Sequence, residues 1–274
     1  MKKTIAITGV TGAIGKATAL ELAKNNCHLI LIARNADKLA KVKADISAAS
    51  KNNDIETIVC DLSEPSSVRK ATAEIKSKHT SLNGLINIAA IYHAQRKENS
   101  QGNEYMLATN HLGPFLLTSQ LLDLLKAGKP SRIVTVSAPS STKPNFEDIQ
   151  GKQKWNPGFM GTFGATKMMN LQFTYALARR IEGTGVTASV FHPGLVKTEL
   201  TREMSKFANF IFGMMSGPPE KAAKALTSLT IDSKYEKSNG TFVKVNGKEI
   251  KSSAWSYEKE PQEKLWKLSE ELTK

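Results

Sequence analysis

Short apolar, β-branched runs alternate with longer mixed stretches along this chain. Residues 4–8, 28–32, 55–60, 84–90, 131–137, 186–191 and 241–245 are the strand-like runs, rich in Ile, Val and Leu. Segments 16–25, 37–50, 102–126 and 159–182 lie between them and read as helices. Another helix is expected to start behind Ser63 as N-cap, with Glu64 and Pro65 in its first turn. Pro114 has no N–H to donate, so a kink is expected near Asn110, one turn back. Strand and helix in repeated alternation predict an α/β fold with a doubly wound parallel sheet. With no internal repeat and no dividing linker, residues 1–274 are expected to form a single domain.

Composition narrows the classes. At 274 residues and 40% hydrophobic, the chain can bury a sizeable core, yet no run reaches the ~18 apolar residues that span a bilayer. Its start is charged and then apolar, but the apolar part runs straight into a glycine turn, which reads as a strand and not a leader. Cys27 and Cys60 indicate free thiols in a reducing compartment, hence a cytoplasmic location. The net charge of +13, from 38 basic and 25 acidic residues, is spread along the helices without a basic block. That distribution favours a solubilising surface over nucleic-acid binding. No metal-ligand set is assigned.

Candidate chemistry starts at the first turn. Thr8-Gly9-Val10-Thr11-Gly12-Ala13-Ile14-Gly15 joins a strand to a helix. In that setting glycines let the backbone approach a pyrophosphate, and the helix N-terminus supplies N–H donors; glycines also make ordinary turns. After the second strand, where an acid would hold the ribose 2′-OH of NAD, stands Arg34. A guanidinium there suits the 2′-phosphate of NADP(H), the alternative being a plain surface charge. Asp37 belongs to the first turn of the next helix. Further on, Phe163 and Lys167 are four residues apart on one helix and should face the same spot.

These motifs, with Asn110-His111-Leu112-Gly113-Pro114-Phe115, the stretch from Ala178 to Val186, His192-Pro193-Gly194 and the C-terminal Leu265-to-Leu272 segment, resemble the short-chain dehydrogenase/reductase family. The retinol-dehydrogenase-like branch is the most similar. The resemblance covers nearly the whole chain and implies a Rossmann fold. It further implies that Gly9, Thr11, Gly12, Ile14 and Gly15 cradle the pyrophosphate and that Arg34 meets the 2′-phosphate. Asp61 and Leu62 would border the adenine, Asn87 and Ala89 the adenosine ribose side, and Lys167 the nicotinamide ribose. Pro193, Gly194, Val196 and Thr198 would fix the nicotinamide, and Asn110 a water linking Lys167 to solvent.

Ala13 stands where many family members have a Gly, and Asn87-Ile88-Ala89-Ala90 where Asn-Asn-Ala-Gly is usual, but the departures that bear on the chemistry fall on the substrate side. Phe163 stands at the position of the general acid/base Tyr, and Ala138 at that of the Ser that polarises the substrate oxygen, 25 residues earlier. A general acid is worth about 10²–10⁴ in rate, and an oxyanion-type donor about 10²–10³. Replacements are scarce: Tyr175 lies twelve residues further on, roughly 18 Å along a helix. Ser137 should face away from its neighbour, Tyr92 and His93 are expected to line the pocket, and His192 is expected to be structural. The apolar segment from Phe207 to Met215, within an expected substrate lid at about 199–217, suits a small apolar substrate or ligand as well as core packing.

Two readings stay open. One is an NADP(H)-dependent oxidoreductase whose substrate needs little proton help, such as an iminium, a quinone or an activated alkene, or a carbonyl served by another acid. The other is a regulatory or binding protein that keeps the cofactor and does no chemistry. A single designed exchange at Phe163 would leave Ala138 unexplained. A homo-oligomer is compatible with either.

Overall fold

The computed structural model describes residues 2–196 and 217–274. One sheet organises them. Its strands are β1 (Thr4–Thr8), β2 (His28–Ala33), β3 (Ile55–Val59), β4 (Gly84–Asn87), β5 (Ser131–Val136), β6 (Val186–His192) and β7 (Thr241–Lys244). All six pairings are parallel, in the order β3-β2-β1-β4-β5-β6-β7. Parallel strands need helical crossovers, and these cover both faces.

Side-chain alternation assigns the layers. Ile5 and Ile7 point into a core shared with α1 (Ala13–Lys24), α2 (Ala36–Ser50) and α7 (Pro219–Ile231). Ala6, Ile30 and Ile58 point the other way, onto α3 (Pro65–Lys78), α5 (Gly113–Ala127) and α6 (Thr162–Arg180). Outside this second layer, α8 (Lys259–Leu272) packs on α6, with Trp266 against Phe115 and Phe173 and the Arg180 guanidinium 3.9 Å above its ring.

Where the chain departs from the pattern read in its sequence, the reason is local. Glu64, not Ser63, caps α3, and Pro65 opens the helix. Ser63 instead turns its hydroxyl to Asp61, 2.6 Å from Oδ1, which holds the end of β3 in a tight turn. The kink expected near Asn110 is a π-helical turn, Ala108–Leu112, between α4 (Tyr105–Leu107) and α5. Pro114 cannot donate to the Asn110 carbonyl, and the wider turn accommodates that missing bond.

The strand order reverses between β1 and β4, because β1, β2 and β3 run outward in one direction and the chain then returns to place β4 on the other side. Ligands of open parallel sheets bind at such a switch point, beyond the C-terminal ends of the strands. Gly9, Arg34, Asp61, Asn87, Ala138 and Pro193 all follow or end strands at this edge.

Candidate active site

The β1–α1 turn is built by steric necessity. Gly9 has φ +73°, and a Cβ there would lie 2.7 Å from the Ala89 nitrogen. At Gly15 a Cβ would overlap the Gly9 carbonyl. Gly12 is less constrained, with nothing nearer than 3.5 Å; its role is to cap α1 without a side chain. The first-turn N–H groups of α1 therefore meet no capping side chain, and the helix dipole adds to their pull on an anion. Thr8 closes this turn onto β4: its Oγ1 accepts from the Ile88 N–H at 3.0 Å and the Ala89 N–H at 3.2 Å. That latch was missed in the sequence, although a hydroxyl at a strand end beside a glycine turn is its signal.

Arg34 follows β2 with its side chain 62% exposed. Its guanidinium donates to the Tyr105 hydroxyl and stands 3.8 Å from Asp61 Oδ2. Asp61 Oδ1 accepts from the Ser63 N–H and hydroxyl, at 2.9 and 2.6 Å. The cation thus sits at the rim of the groove with donors left over, since a guanidinium carries five. Asp37 lies in the first turn of α2, as expected. Leu62 is buried against Gly113, where a Cβ would collide with its carbonyl, so Asp61 alone of the pair presents a polar side chain to the groove. Asn87 donates to Thr118 Oγ1 at 3.1 Å, while its buried Oδ1 has no partner among the described residues.

The opposite wall belongs to α6. Lys167 is buried, and its Nζ lies 5.1 Å from the centroid of the Phe163 ring, so the two residues share one face of the helix. Among the described residues no carboxylate pairs with it, and burial lowers its pKa to about 8. Phe163 is itself buried, edge-on to Tyr92 at 5.8 Å and to Phe159 at 5.0 Å. An ammonium over an aromatic face gains cation–π attraction but no proton relay.

Three hydroxyls nearby are engaged with backbone carbonyls. Ser137 donates to the Lys167 carbonyl at 3.0 Å, Ser140 to the Gly164 carbonyl at 2.8 Å and Thr142 to the Phe159 carbonyl at 2.9 Å. Ser137 and Ser140 tie the β5 exit to the N-terminal half of α6, and Thr142 ties it to the segment that leads into that helix. The last two, missed in the sequence, explain how an irregular connection positions Lys167.

The Asn110 side chain grips the exit of β4. It accepts from the Ile91 N–H at 2.7 Å and donates to the Ile91 carbonyl at 2.9 Å, with Thr166 Oγ1 3.3 Å away. It pins the β4 exit to the π-turn. His93 lies beside Tyr105, with ring centroids 5.5 Å apart and the rings tilted by 41°. Tyr175 bonds Ser252 and stacks on Tyr257, away from this site. His192 packs near Phe242, and burial lowers its pKa.

Beyond β6, Gly194 takes φ +75° and Val196 is buried, pairing with Gly217, whose N–H reaches the Leu195 carbonyl at 2.8 Å. Thr198, the expected lid before Gly217, and the apolar stretch from Phe207 to Met215 lie outside the described residues.

Comparison with known proteins agrees with this geometry. Residues 3–209 match the family model described as short chain dehydrogenase. Mouse retinol dehydrogenase 12 is 32% identical over 274 residues, 98% of this chain and 86% of the relative. A solved structure of an uncharacterized protein from Mycobacterium paratuberculosis superposes with TM-score 0.78 at 27% identity, covering 99% of this chain and 93% of that one. Pseudomonas aeruginosa RhlG, solved with NADP, shares the fold at TM-score 0.72 and 21% identity over 89% of this chain and 95% of its own. The glycine turn, the sheet with its switch point and the relatives lead to one assignment: the chain belongs to the short-chain dehydrogenase/reductase family of oxidoreductases, in its retinol-dehydrogenase-like branch.

Proposed function

We propose that the chain is an NADP(H)-dependent oxidoreductase that moves hydride to or from a small apolar molecule without a Tyr or Ser hydroxyl at the reacting oxygen. The observation that carries this reading is Lys167: a buried ammonium with no carboxylate partner among the described residues, held beside the groove. An unpaired buried charge is costly, and hydroxyls of a bound ribose would relieve it. The groove fits a dinucleotide, since Gly9 and Gly15 leave no room for a side chain where the backbone must approach phosphates.

Gly9, Thr11, Gly12, Ile14 and Gly15 would hold the pyrophosphate, with Arg34 at the 2′-phosphate and Asp61 and Leu62 at the adenine. Asn87 and Ala89 would flank the adenosine ribose. Lys167 would hold the nicotinamide ribose, with Pro193, Gly194, Val196 and Thr198 along the nicotinamide. Family folds serve NADP and NADH alike, so the preference for NADP rests on Arg34. The cofactor, when bound, donates or receives hydride; what the chain adds is position and a dry wall. Phe163 excludes water from the Lys167 ammonium and offers no proton. Substrates that take hydride without a simultaneous proton, such as iminium ions, quinones and activated alkenes, suit this arrangement best. Exposed Phe159, Met160 and Leu195 favour an apolar partner, as does kinship with an enzyme named for retinol. Buried free Cys27 and Cys60 fit a reducing, cytoplasmic setting, and no helix among the described residues is long and apolar enough to cross a membrane.

The rival reading is a cofactor-binding protein without turnover. It is favoured by one observation: Ser137 and Ser140 direct their protons to α6 carbonyls, and Thr142 directs its own to the Phe159 carbonyl just before that helix. NADPH oxidation with a panel of apolar iminium salts, quinones, enones and aldehydes separates the two. Turnover with any class supports the oxidoreductase; tight NADPH binding with no turnover across the panel sinks it.

A further inference from the structure

At the opposite edge of the sheet, two histidines converge on one carboxylate oxygen. His28 opens β2, Glu56 is in β3 and His79 is the C-cap of α3. In the β2–β3 register Glu56 is opposite Ile30. Residues two apart on a strand share a face, so His28 and Glu56 both point toward the layer that contains α3. Glu56 Oε1 lies 3.0 Å from His28 Nε2 and 3.1 Å from His79 Nε2. The three ligand atoms are all within 4.8 Å of one another, and both imidazole side chains are only 14% exposed.

Hydrogen bonding does not account for this cluster. Both Nε2 atoms are buried and lack a hydrogen-bond partner despite their closeness to Oε1. The oxygen is near each nitrogen but off the axis along which an N–H would point. Donor atoms that are close to each other and aimed past each other are disposed around a shared third point, as ligands are around a metal. Tetrahedral coordination with ligand bonds of about 2.0–2.1 Å puts neighbouring ligand atoms roughly 3.3–3.4 Å apart. The outer contacts fit as well. His28 Nδ1 lies 2.5 Å from Asp54 Oδ1, and donation there leaves the Nε2 lone pair free. A carboxylate behind a ligating imidazole commonly orients it and raises its basicity. Lys2 neutralises the other Asp54 oxygen at 2.7 Å, and Lys78 lies 4.0 Å from Glu56 Oε2, the oxygen that the imidazoles do not approach.

We propose that His28, Glu56 and His79 bind a divalent late transition metal, with Zn²⁺ the best match to two imidazoles and one carboxylate, a water completing the four-coordinate shell. The ion would clamp the edge strand β3 to β2 and to the end of α3. Sequence spacing could not reveal the set, because its members are 28 and 23 residues apart. The site sits beyond the N-terminal end of β2, whereas Arg34 follows its C-terminal end, so about 20 Å of strand separates it from the cofactor groove. It should therefore affect stability and leave nucleotide affinity alone.

The test uses the full chain after EDTA treatment and dialysis. Zn²⁺ titration by calorimetry should give one site of micromolar or tighter affinity, and Co²⁺ should give a visible absorption band of a four-coordinate ion. Thermal melts should rise with Zn²⁺, the folded-to-unfolded ratio gaining about a hundredfold at a hundred times Kd. Glu56→Gln and His79→Gln should each weaken binding by at least tenfold, as should Asp54→Asn through the orientation of His28. Far-UV circular dichroism in EDTA establishes that each variant is folded, and Glu56→Gln, which keeps size and shape, guards against a His79 variant that is not. Cys27→Ser should bind like the parent, which sets aside a thiolate site beside His28. No Zn²⁺ uptake at 100 μM, or equal uptake by parent and both ligand variants, would overturn the proposal and leave an ion-paired histidine cluster in its place.

Discussion

Replacing Lys167 with Met keeps the side chain's length and removes its charge, which should make the cofactor-free protein more stable. Burial lowers the Lys167 pKa from 10.5 to about 8. At 1.36 kcal/mol per unit, holding the charged form inside costs about 3 kcal/mol relative to water. The cation–π contact with Phe163 at 5.1 Å offsets about 0.5–2 kcal/mol of that. The net gain for Lys167→Met is therefore about 1–3 kcal/mol at neutral pH, or roughly 2–5 °C in Tm for a chain of this size. The sign with pH follows from linkage. The unfolded lysine binds its proton up to about 10.5 and the folded one only to about 8, so parent stability rises across that interval. The advantage of the variant is full below pH 8 and gone above pH 10.5. Urea melts of both proteins at pH 7 and pH 10.5, with their difference as the readout, check this. A variant no more stable at pH 7, or equally favoured at both pH values, would refute the claim of an unpaired buried ammonium. The same variant should bind NADPH at least tenfold more weakly, so stability and function move in opposite directions.

Three further outcomes are expected. The double variant Phe163→Tyr, Ala138→Ser should raise carbonyl reduction by about 10²–10⁴, measured as NADPH oxidation with apolar aldehydes; an unchanged rate would mean that more than two hydroxyls separate this site from an ordinary reductase. Arg34→Ala should erase a preference for NADP over NAD of about 10–100-fold, the worth of a charge-assisted pair at ~1.5–3 kcal/mol, read by competitive binding; equal losses for both cofactors would assign Arg34 to the rim surface instead. Buried His111, bonded to Ser269 of α8 at 2.8 Å, has its pKa lowered to about 4 by desolvation. The unfolded chain therefore binds a proton that the folded one refuses, and stability should fall as pH drops from 6.5 toward 4, an effect that His111→Asn should abolish in acid melts.

What the sequence disclosed depended on how locally each feature is encoded. The sheet was legible because each strand is an apolar run bounded by polar turns, and Phe163 over Lys167 because i and i+4 on a helix must meet. The glycine turn was legible too, although Gly9 and Gly15 are required by sterics and Gly12 is not. Features made by distant partners were not. Thr8 holds Ile88 and Ala89 across eighty residues, and Ser140 and Thr142 order the approach to α6 through backbone carbonyls that no side-chain pattern announces. Pro114 signalled a break at Asn110, but not that the break is a π-turn whose asparagine grips Ile91. His28, Glu56 and His79 come together only once β2, β3 and α3 are packed.

The central claim is a working hydride site with an intact cofactor side and no substrate-facing hydroxyl. Its most direct test is deuterium transfer from NADPH deuterated at the nicotinamide C4 to an apolar iminium or activated alkene, read by mass spectrometry of the product. The account predicts label appearing in product faster than in a protein-free control, from one face of the nicotinamide, with the rate lost in Lys167→Met. Saturating NADPH binding with label transfer no faster than the control would contradict it.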